Sequence, residues 1–341
     1  MKTRLSDRAA IGVSRLTHRV SRLPVLVLMP HSRCNCRCVM CDIWRANANG
    51  RELSEADLAP HLADLRKLRV GWIVLSGGEA LMHASLFALC RQLRSPGARI
   101  SLLSTGLLLR KHAQAVVAHL DDVIVSLDGS PAVHDAIRNV PRAFERLADG
   151  VAALREARAG YRVTARCVLQ RGNYRDLDGI IATAKELKLD QLSFLPADTH
   201  SEAFNRPGGW SADRSESVAL ALDEARELAG LIDRSLARNA ADYASGFIAE
   251  SPARMTAIAQ YYLAANGCGE FPRISCNAPW VSAVIEADGA VRPCFFHPAY
   301  GSLADGGFRE IVNSPAALAF RRGLDTVTNP VCSRCVCTLK I

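Results

Sequence analysis

His31-Ser32-Arg33-Cys34-Asn35-Cys36-Arg37-Cys38-Val39-Met40-Cys41 follows directly on the apolar, β-branched run Val25 to Met29. Cys34, Cys38 and Cys41 have the spacing C-x3-C-x2-C. A compact loop at the C-terminal end of a strand can fold three thiolates onto three corners of a cubane and leave the fourth iron without a protein ligand. Such an open iron is a site for substrate or cofactor chemistry as well as for electron storage. Cys36 falls outside the spacing and reads as a small loop residue. Three cysteines with His31 also make a zinc set, so the loop alone leaves two metals open.

Outward from this loop, short β-branched runs alternate with amphipathic stretches. The expected strands are Val25 to Met29, Trp72 to Ser76, Ile100 to Ser104, Val123 to Ser126, Val163 to Leu169 and Gln191 to Leu195. Expected helices include Ser54 to Leu68, Leu86 to Leu93, Phe144 to Ala157 and Asp176 to Leu187. Strict alternation implies parallel βα units of an α/β fold. Ser54 and Asn173 precede helices as capping residue types. Residues 199–212, with Pro207-Gly208-Gly209, read as a linker. Val218, Leu222, Ala225, Leu228, Ile232 and Leu236 then form one apolar helical stripe, expected to pack on the barrel. Past Cys268 the texture changes to short segments, Val281 to Ile285 and Val291 to Phe295, around the turn signal Asp288-Gly289.

Three later strand ends carry companions of the cysteine loop. Leu75-Ser76-Gly77-Gly78-Glu79 offers two glycines that let a ligand approach the backbone closely and a carboxylate that can accept from an ammonium group. Ser104-Thr105-Gly106 and Ser126-Leu127-Asp128-Gly129 end the third and fourth strands, and His134-Asp135-Ala136-Ile137-Arg138 follows the latter. C-terminal strand ends are where βα-barrel active sites are assembled.

The C-x3-C-x2-C loop after the first strand, with Gly77-Gly78-Glu79 on the second, resembles the radical S-adenosylmethionine superfamily. Met40 takes the place usually given there to an aromatic or large apolar residue, a mild departure. The resemblance implies a partial (β/α)6 TIM-like barrel over residues 24–198. It also implies a [4Fe-4S] cluster on Cys34, Cys38 and Cys41 whose open iron chelates S-adenosylmethionine. Gly77, Gly78 and Glu79 would hold the methionyl amine, and Ser126, with Asp128 beside it, would contact the cofactor. Arg138, in an HDxxR stretch, would pair with a cofactor or substrate carboxylate, and Leu195 would pack on adenine. Helix capping, turn formation, a surface salt bridge and core packing are the plainer readings of these last four. Arg166 and Cys167 are neighbours in the fifth strand, so one of them faces the barrel interior.

Six further cysteines lie near the C-terminus. Cys276, Gly289 and Cys294 read C-x12-G-x4-C, and Cys332 and Cys335 form a C-x2-C pair. This resembles the opening of the SPASM and twitch auxiliary-cluster domains, over residues 268–341. Full SPASM domains continue with more cysteines than this chain has, so one auxiliary [4Fe-4S] cluster is expected, on Cys276, Cys294, Cys332 and Cys335, in a small α+β domain. Cys268 and Cys337 are spare, and either could displace one of the four. Four protein ligands close a cluster and favour electron transfer or support, while four thiolates also describe a zinc site. Tyr261, Tyr262 and His297 are candidates near the clusters, and Cys90 and Cys167 read as buried thiols.

Composition bounds the rest. The 341 residues are 49% hydrophobic and 22% charged, which excludes a disordered or low-complexity chain. No apolar run is long enough to span a bilayer and no secretory signal is visible, so a cytoplasmic enzyme is expected. Residues 1–23 carry +5 of the net +8 and are expected as a basic leader helix on the main domain. An aromatic content of 6% gives no basic-aromatic nucleic-acid surface. The expected reaction is hydrogen abstraction with net two-electron oxidation of an alcohol or sugar-like small molecule, fed by a donor such as flavodoxin or ferredoxin. A maturase of a ribosomally made peptide and a non-catalytic, metal-stabilised binding protein are the alternatives. No constellation of acid, base or nucleophile names the substrate.

Overall fold

The computed structural model describes residues 5–341, so Lys2 and Arg4 of the basic leader lie outside the described residues. Six parallel strands follow in chain order: β1 (Val25–Leu28), β2 (Trp72–Leu75), β3 (Arg99–Ser104), β4 (Asp122–Ser126), β5 (Val163–Leu169) and β6 (Gln191–Pro196). Each lies beside its predecessor, with Leu26 opposite Ile73, Ile73 opposite Ile100 and Leu102 opposite Val123. Leu26, Ile73, Ile100 and Val123 are buried under the surrounding helices. The other face is concave and more polar: in β6 Gln191, Ser193 and Leu195 alternate as half-buried residues with the buried Leu192, Phe194 and Pro196. β5 answers which neighbour looks inward, because Cys167 is buried among helices and Arg166 is exposed on the concave face.

The C-terminal segment continues this sheet instead of standing apart from it. β7 (Ser282–Ile285) pairs in parallel with β1, Val25 opposite Ser282 and Leu28 opposite Ile285. β8 (Ala290–Arg292) turns back antiparallel through Asp288-Gly289, with Gly289 at φ +83°, and β9 (Gly301–Ser302) completes a nine-stranded sheet. Pro293 has no N–H and ends β8 before the expected Phe295. The edge of β1 is thereby covered, and the hairpin hangs beside the C-terminal strand ends.

The helices follow local chemistry. Ser54 makes a capping box with Asp57, but Pro60 breaks the expected Ser54 to Leu68 helix into Glu55–Leu58, a 3-10 turn and Leu62–Lys67. Asn173 caps no helix. It accepts from Gln170 N and donates to Asp128 O and Val168 O, tying the ends of β4 and β5 together. From Leu222 on, the apolar stripe forms helix Leu222–Arg238, which packs chiefly on helix Pro252–Ala265 rather than on the barrel directly, while Val218 lies in a turn before it and packs in the cluster of the cysteine loop. Helix Leu5–Thr17 places Ile11 against Trp280 and Val281 of the C-terminal segment. Among the described residues no helix is long and apolar enough to cross a membrane.

Candidate functional site

All twelve cysteines are free thiols. Cys34, Cys36, Cys38 and Cys41 lie with Met40 in one small apolar cluster capped by Trp210 and Val218. The loop is held from several sides: Asn47 pins Cys34 at both its N–H and C=O, each at 2.9 Å. Trp44 donates to Cys41 O at 2.9 Å, and Arg37 N and Val39 N donate to Arg138 O and Ile137 O. Burial pushes the Cys34 and Cys41 thiols up to about 12. Cys38 goes the other way, held below the ordinary thiol value by the hydrogen bond from Cys36, against its burial and with help from Arg138. Cys34 and Cys41, whose thiols burial keeps protonated, need positive iron beside them to ionise. Among the described residues no three His, Cys, Asp or Glu side chains gather as ligands of a single metal ion.

His31 is not positioned as a fourth donor. Its Nδ1 accepts from Arg33 N at 2.8 Å and its Nε2 donates to Glu79 O at 2.9 Å. Burial keeps the ring neutral by lowering its pKa. Both nitrogens are thus spent joining the cysteine loop to the Gly77-Gly78-Glu79 turn.

That turn is packed tightly against its neighbours. A Cβ on Gly78 would sit 1.9 Å from Arg33 O, so what approaches the glycine is the backbone of the cysteine loop itself. Gly77 has φ +99°, a conformation favouring glycine. The Glu79 carboxylate is fully buried and accepts from Ser104 Oγ, Thr105 N, Thr105 Oγ1 and Leu81 N at 2.7–3.2 Å. Burial raises its pKa against those donors. Glu79 therefore braces the ends of β2 and β3, while Gly77 and Gly78 face the cavity described below.

Asp128 and Arg138 turn toward each other beneath the cysteine loop. They form a buried ion pair with each other, and Arg138 Nη1 reaches Cys38 Sγ at 3.5 Å. Ser126 and Leu195 do lie half-buried on the concave face. Ser126, Arg166 and Ser193 stand in one row across β4 to β6, with Val168 opposite Leu195 one step further along.

The segment read as a linker is a strap across the cysteine loop. Asp42 N donates to Phe204 O, Trp210 Nε1 donates to Asp42 Oδ2 at 2.6 Å, and Arg214 Nη2 donates to Val39 O. Arg206 is 3% exposed. It donates to Met40 O and Asp198 O, each at 2.7 Å, pairs with the Asp198 carboxylate, and stacks 3.7 Å over the Trp210 ring. A cavity of about 460 Å³ opens between the strap, the β7–β8 hairpin and Gly77-Gly78. Arg51, Glu286 and Arg292 line it, together with Phe204 and Phe295, whose ring centroids are 4.7 Å apart. The Pro207-Gly208-Gly209 signal concealed Arg206 and Trp210; the sequence hint was a tryptophan four residues from an arginine on either side.

At the other end of the chain, Cys276 lies close enough to Cys294, Cys332 and Cys335 to raise the pKa of each. Burial pushes Cys294 up to about 12 and Cys332 up to about 11. His297 is 4% exposed, its Nε2 3.2 Å from Cys332 Sγ. Cys337 is exposed and its backbone carbonyl accepts from Cys335 Sγ at 2.8 Å; Cys268 is exposed as well. Tyr262 donates to Leu169 O at 2.5 Å and accepts from Ala197 N at 2.8 Å, fastening helix Pro252–Ala265 to the ends of β5 and β6. Tyr261 is buried beside it at 5.4 Å.

Residues 28–184 match the family model for the radical SAM superfamily, and residues 276–336 match that of an iron-sulfur cluster-binding domain. Pre-heme d1 synthase of Dinoroseobacter shibae is 28% identical over 309 residues, 86% of this chain and 74% of that protein. Mycofactocin maturase MftC of Mycolicibacterium smegmatis is 25% identical over 295 residues, 82% of this chain and 67% of that one. The crystal structure of Streptococcus suis SuiB bound to its precursor peptide SuiA gives a TM-score of 0.65 at 14% identity, covering 96% of this chain and 73% of that chain, a likeness of fold.

Proposed function

Because this chain belongs to the radical S-adenosylmethionine superfamily and carries a C-terminal iron-sulfur cluster-binding domain, we propose that it abstracts a hydrogen atom from an unactivated carbon of a small organic substrate. The net result is a two-electron oxidation of that substrate, assisted by one auxiliary [4Fe-4S] cluster. The cavity between the two cysteine sites carries the reading: Gly77 and Gly78 line it beside the first, and Phe295, next in sequence to Cys294, lines it beside the second. When bound, S-adenosylmethionine and the [4Fe-4S] cluster supply the electron and the hydrogen-abstracting 5'-deoxyadenosyl radical.

The chain's own residues divide the remaining work. Cys34, Cys38 and Cys41 hold the catalytic cluster; Cys276, Cys294, Cys332 and Cys335 hold the auxiliary one. The Gly77-Gly78 backbone faces the cofactor, and Ser126 and Leu195 contact it from the concave face. The strap, through Phe204 and Arg206, covers the cysteine loop and limits water at the reacting atoms. A small acidic redox protein of the flavodoxin or ferredoxin kind supplies electrons.

A peptide maturase is the second reading, supported by the relative named a maturase. The cavity would then admit one peptide side chain. Anaerobic, reconstituted protein reduced with dithionite should convert S-adenosylmethionine to methionine and 5'-deoxyadenosine, and absence of 5'-deoxyadenosine at full iron content would sink the proposal. Stimulation by the low-mass fraction of a cell extract favours a small molecule; stimulation by its peptide fraction favours the maturase.

A further inference from the structure

We propose that Arg138 and Asp128 are positioning residues that set the reduction potential of the catalytic cluster through Cys38. The inference rests on the reading of Cys38 as a cluster ligand. Arg138 is 6% exposed and Asp128 is fully buried. A buried ion pair by itself contributes little to stability, since the two desolvation costs offset the attraction. This pair has further partners on both sides. Asp128 Oδ1 accepts from Val168 N at 3.1 Å, while Arg138 Nη2 faces Oδ2 and Nη1 points at Cys38 Sγ at 3.5 Å. The Arg138 segment also accepts from Arg37 N at 3.2 Å and, through Ile137 O, from Val39 N at 3.0 Å, so the loop and the guanidinium move together. Neither Cys34 nor Cys41 receives a comparable bond from a cationic side chain among the described hydrogen bonds.

The consequence is electrostatic. Hydrogen bonds to cluster sulfur, burial and net charge are the levers by which a protein tunes an iron-sulfur potential. A buried guanidinium on one ligand sulfur favours the added electron. The carboxylate behind it opposes that effect and fixes the geometry. Removing the cation and removing the anion should therefore move the potential in opposite directions, which a purely structural role would not do.

The test is an EPR-monitored redox titration of the reconstituted full chain, following the signal that changes when S-adenosylmethionine is added. R138Q should lower the equilibrium constant for reduction about tenfold, which for one electron is about 59 mV. D128N should raise it, and R138K, which keeps the charge without the planar fork, should fall between wild type and R138Q. If R138Q loads no iron, D128N carries the test: an upward shift supports the proposal and no shift overturns it. Variants that retain iron and show unmoved potentials, or shifts of one sign, overturn it too. C38A separates this failure from failure of the ligand reading: persistence of the S-adenosylmethionine-sensitive signal in C38A would overturn the reading itself.

Discussion

Gly78→Ala tests how the cysteine loop is seated. The added Cβ would lie 1.9 Å from Arg33 O and 2.6 Å from Arg33 C, against a lower limit near 3.4 Å for ordinary contact. The obstacle is backbone, so no rotamer change relieves it, and the loop must retreat by more than 1 Å. Retreat breaks the 3.0 Å bond from Glu79 N to Arg33 O and disturbs the 2.8 Å bond from Arg33 N to His31 Nδ1. Overpacking costs about 1–3 kcal/mol and a lost hydrogen bond about 1 kcal/mol, so a destabilisation of about 2–4 kcal/mol is expected. The assay is chemical denaturation of the iron-free, reduced protein, with iron counted per chain after reconstitution. G230A is the control, because that helix position meets only the flexible end of Arg234, and alanine there should stabilise by up to about 1 kcal/mol. A G78A protein as stable as wild type, with full iron, would refute the argument that these glycines exist to admit the loop.

Three further expectations follow from the same geometry. Arg206→Met leaves the buried Asp198 carboxylate without its cation and Met40 O without a donor, and should cost about 3–5 kcal/mol in a denaturant titration. Burial and the nearby Arg138 depress the His134 pKa from 6.5 to about 3. The unfolded chain therefore takes up a proton first, and stability contributed by the neutral ring falls as pH drops below 6.5, by at most about 1.4 kcal/mol per unit; H134Q should flatten that slope. Cys36→Ala should keep full iron after reconstitution, whereas loss of one cluster's iron in C36A would give that thiol a ligand role.

The six parallel strands were legible because each is a short, largely apolar run bounded by turn residues, and burial of one face under the helices rewards that composition. Helix Pro252–Ala265 was not read, since its alanine-rich sequence has no sharp apolar stripe. Its Ser251 cap, with Pro252 at the first turn, was the available signal. The junction of β7 with β1 joins residues more than 250 apart and leaves no local trace. At the site, cysteine spacing is a local property of one loop and could be read directly. The pairing of Asp128 with Arg138 could not, because the HDxxR spacing does not say which way either side chain turns. The donors to Glu79 were hidden for a related reason: Ser104 and Thr105 come from another strand, and local sequence does not show that they reach its oxygens. The strap was hidden by Pro207, Gly208 and Gly209, whose turn chemistry is real but whose neighbours fasten it to the loop.

The central claim is that two separate sets of cysteines hold two clusters. Iron and acid-labile sulfide, counted per chain after anaerobic reconstitution, test it most directly in three proteins: wild type, C34A/C38A/C41A and C276A/C294A. The account predicts about eight iron atoms in the first and about four in each of the others, one [4Fe-4S] cluster being lost each time. Equal iron in all three, or about four irons with one zinc in the wild type, would contradict it.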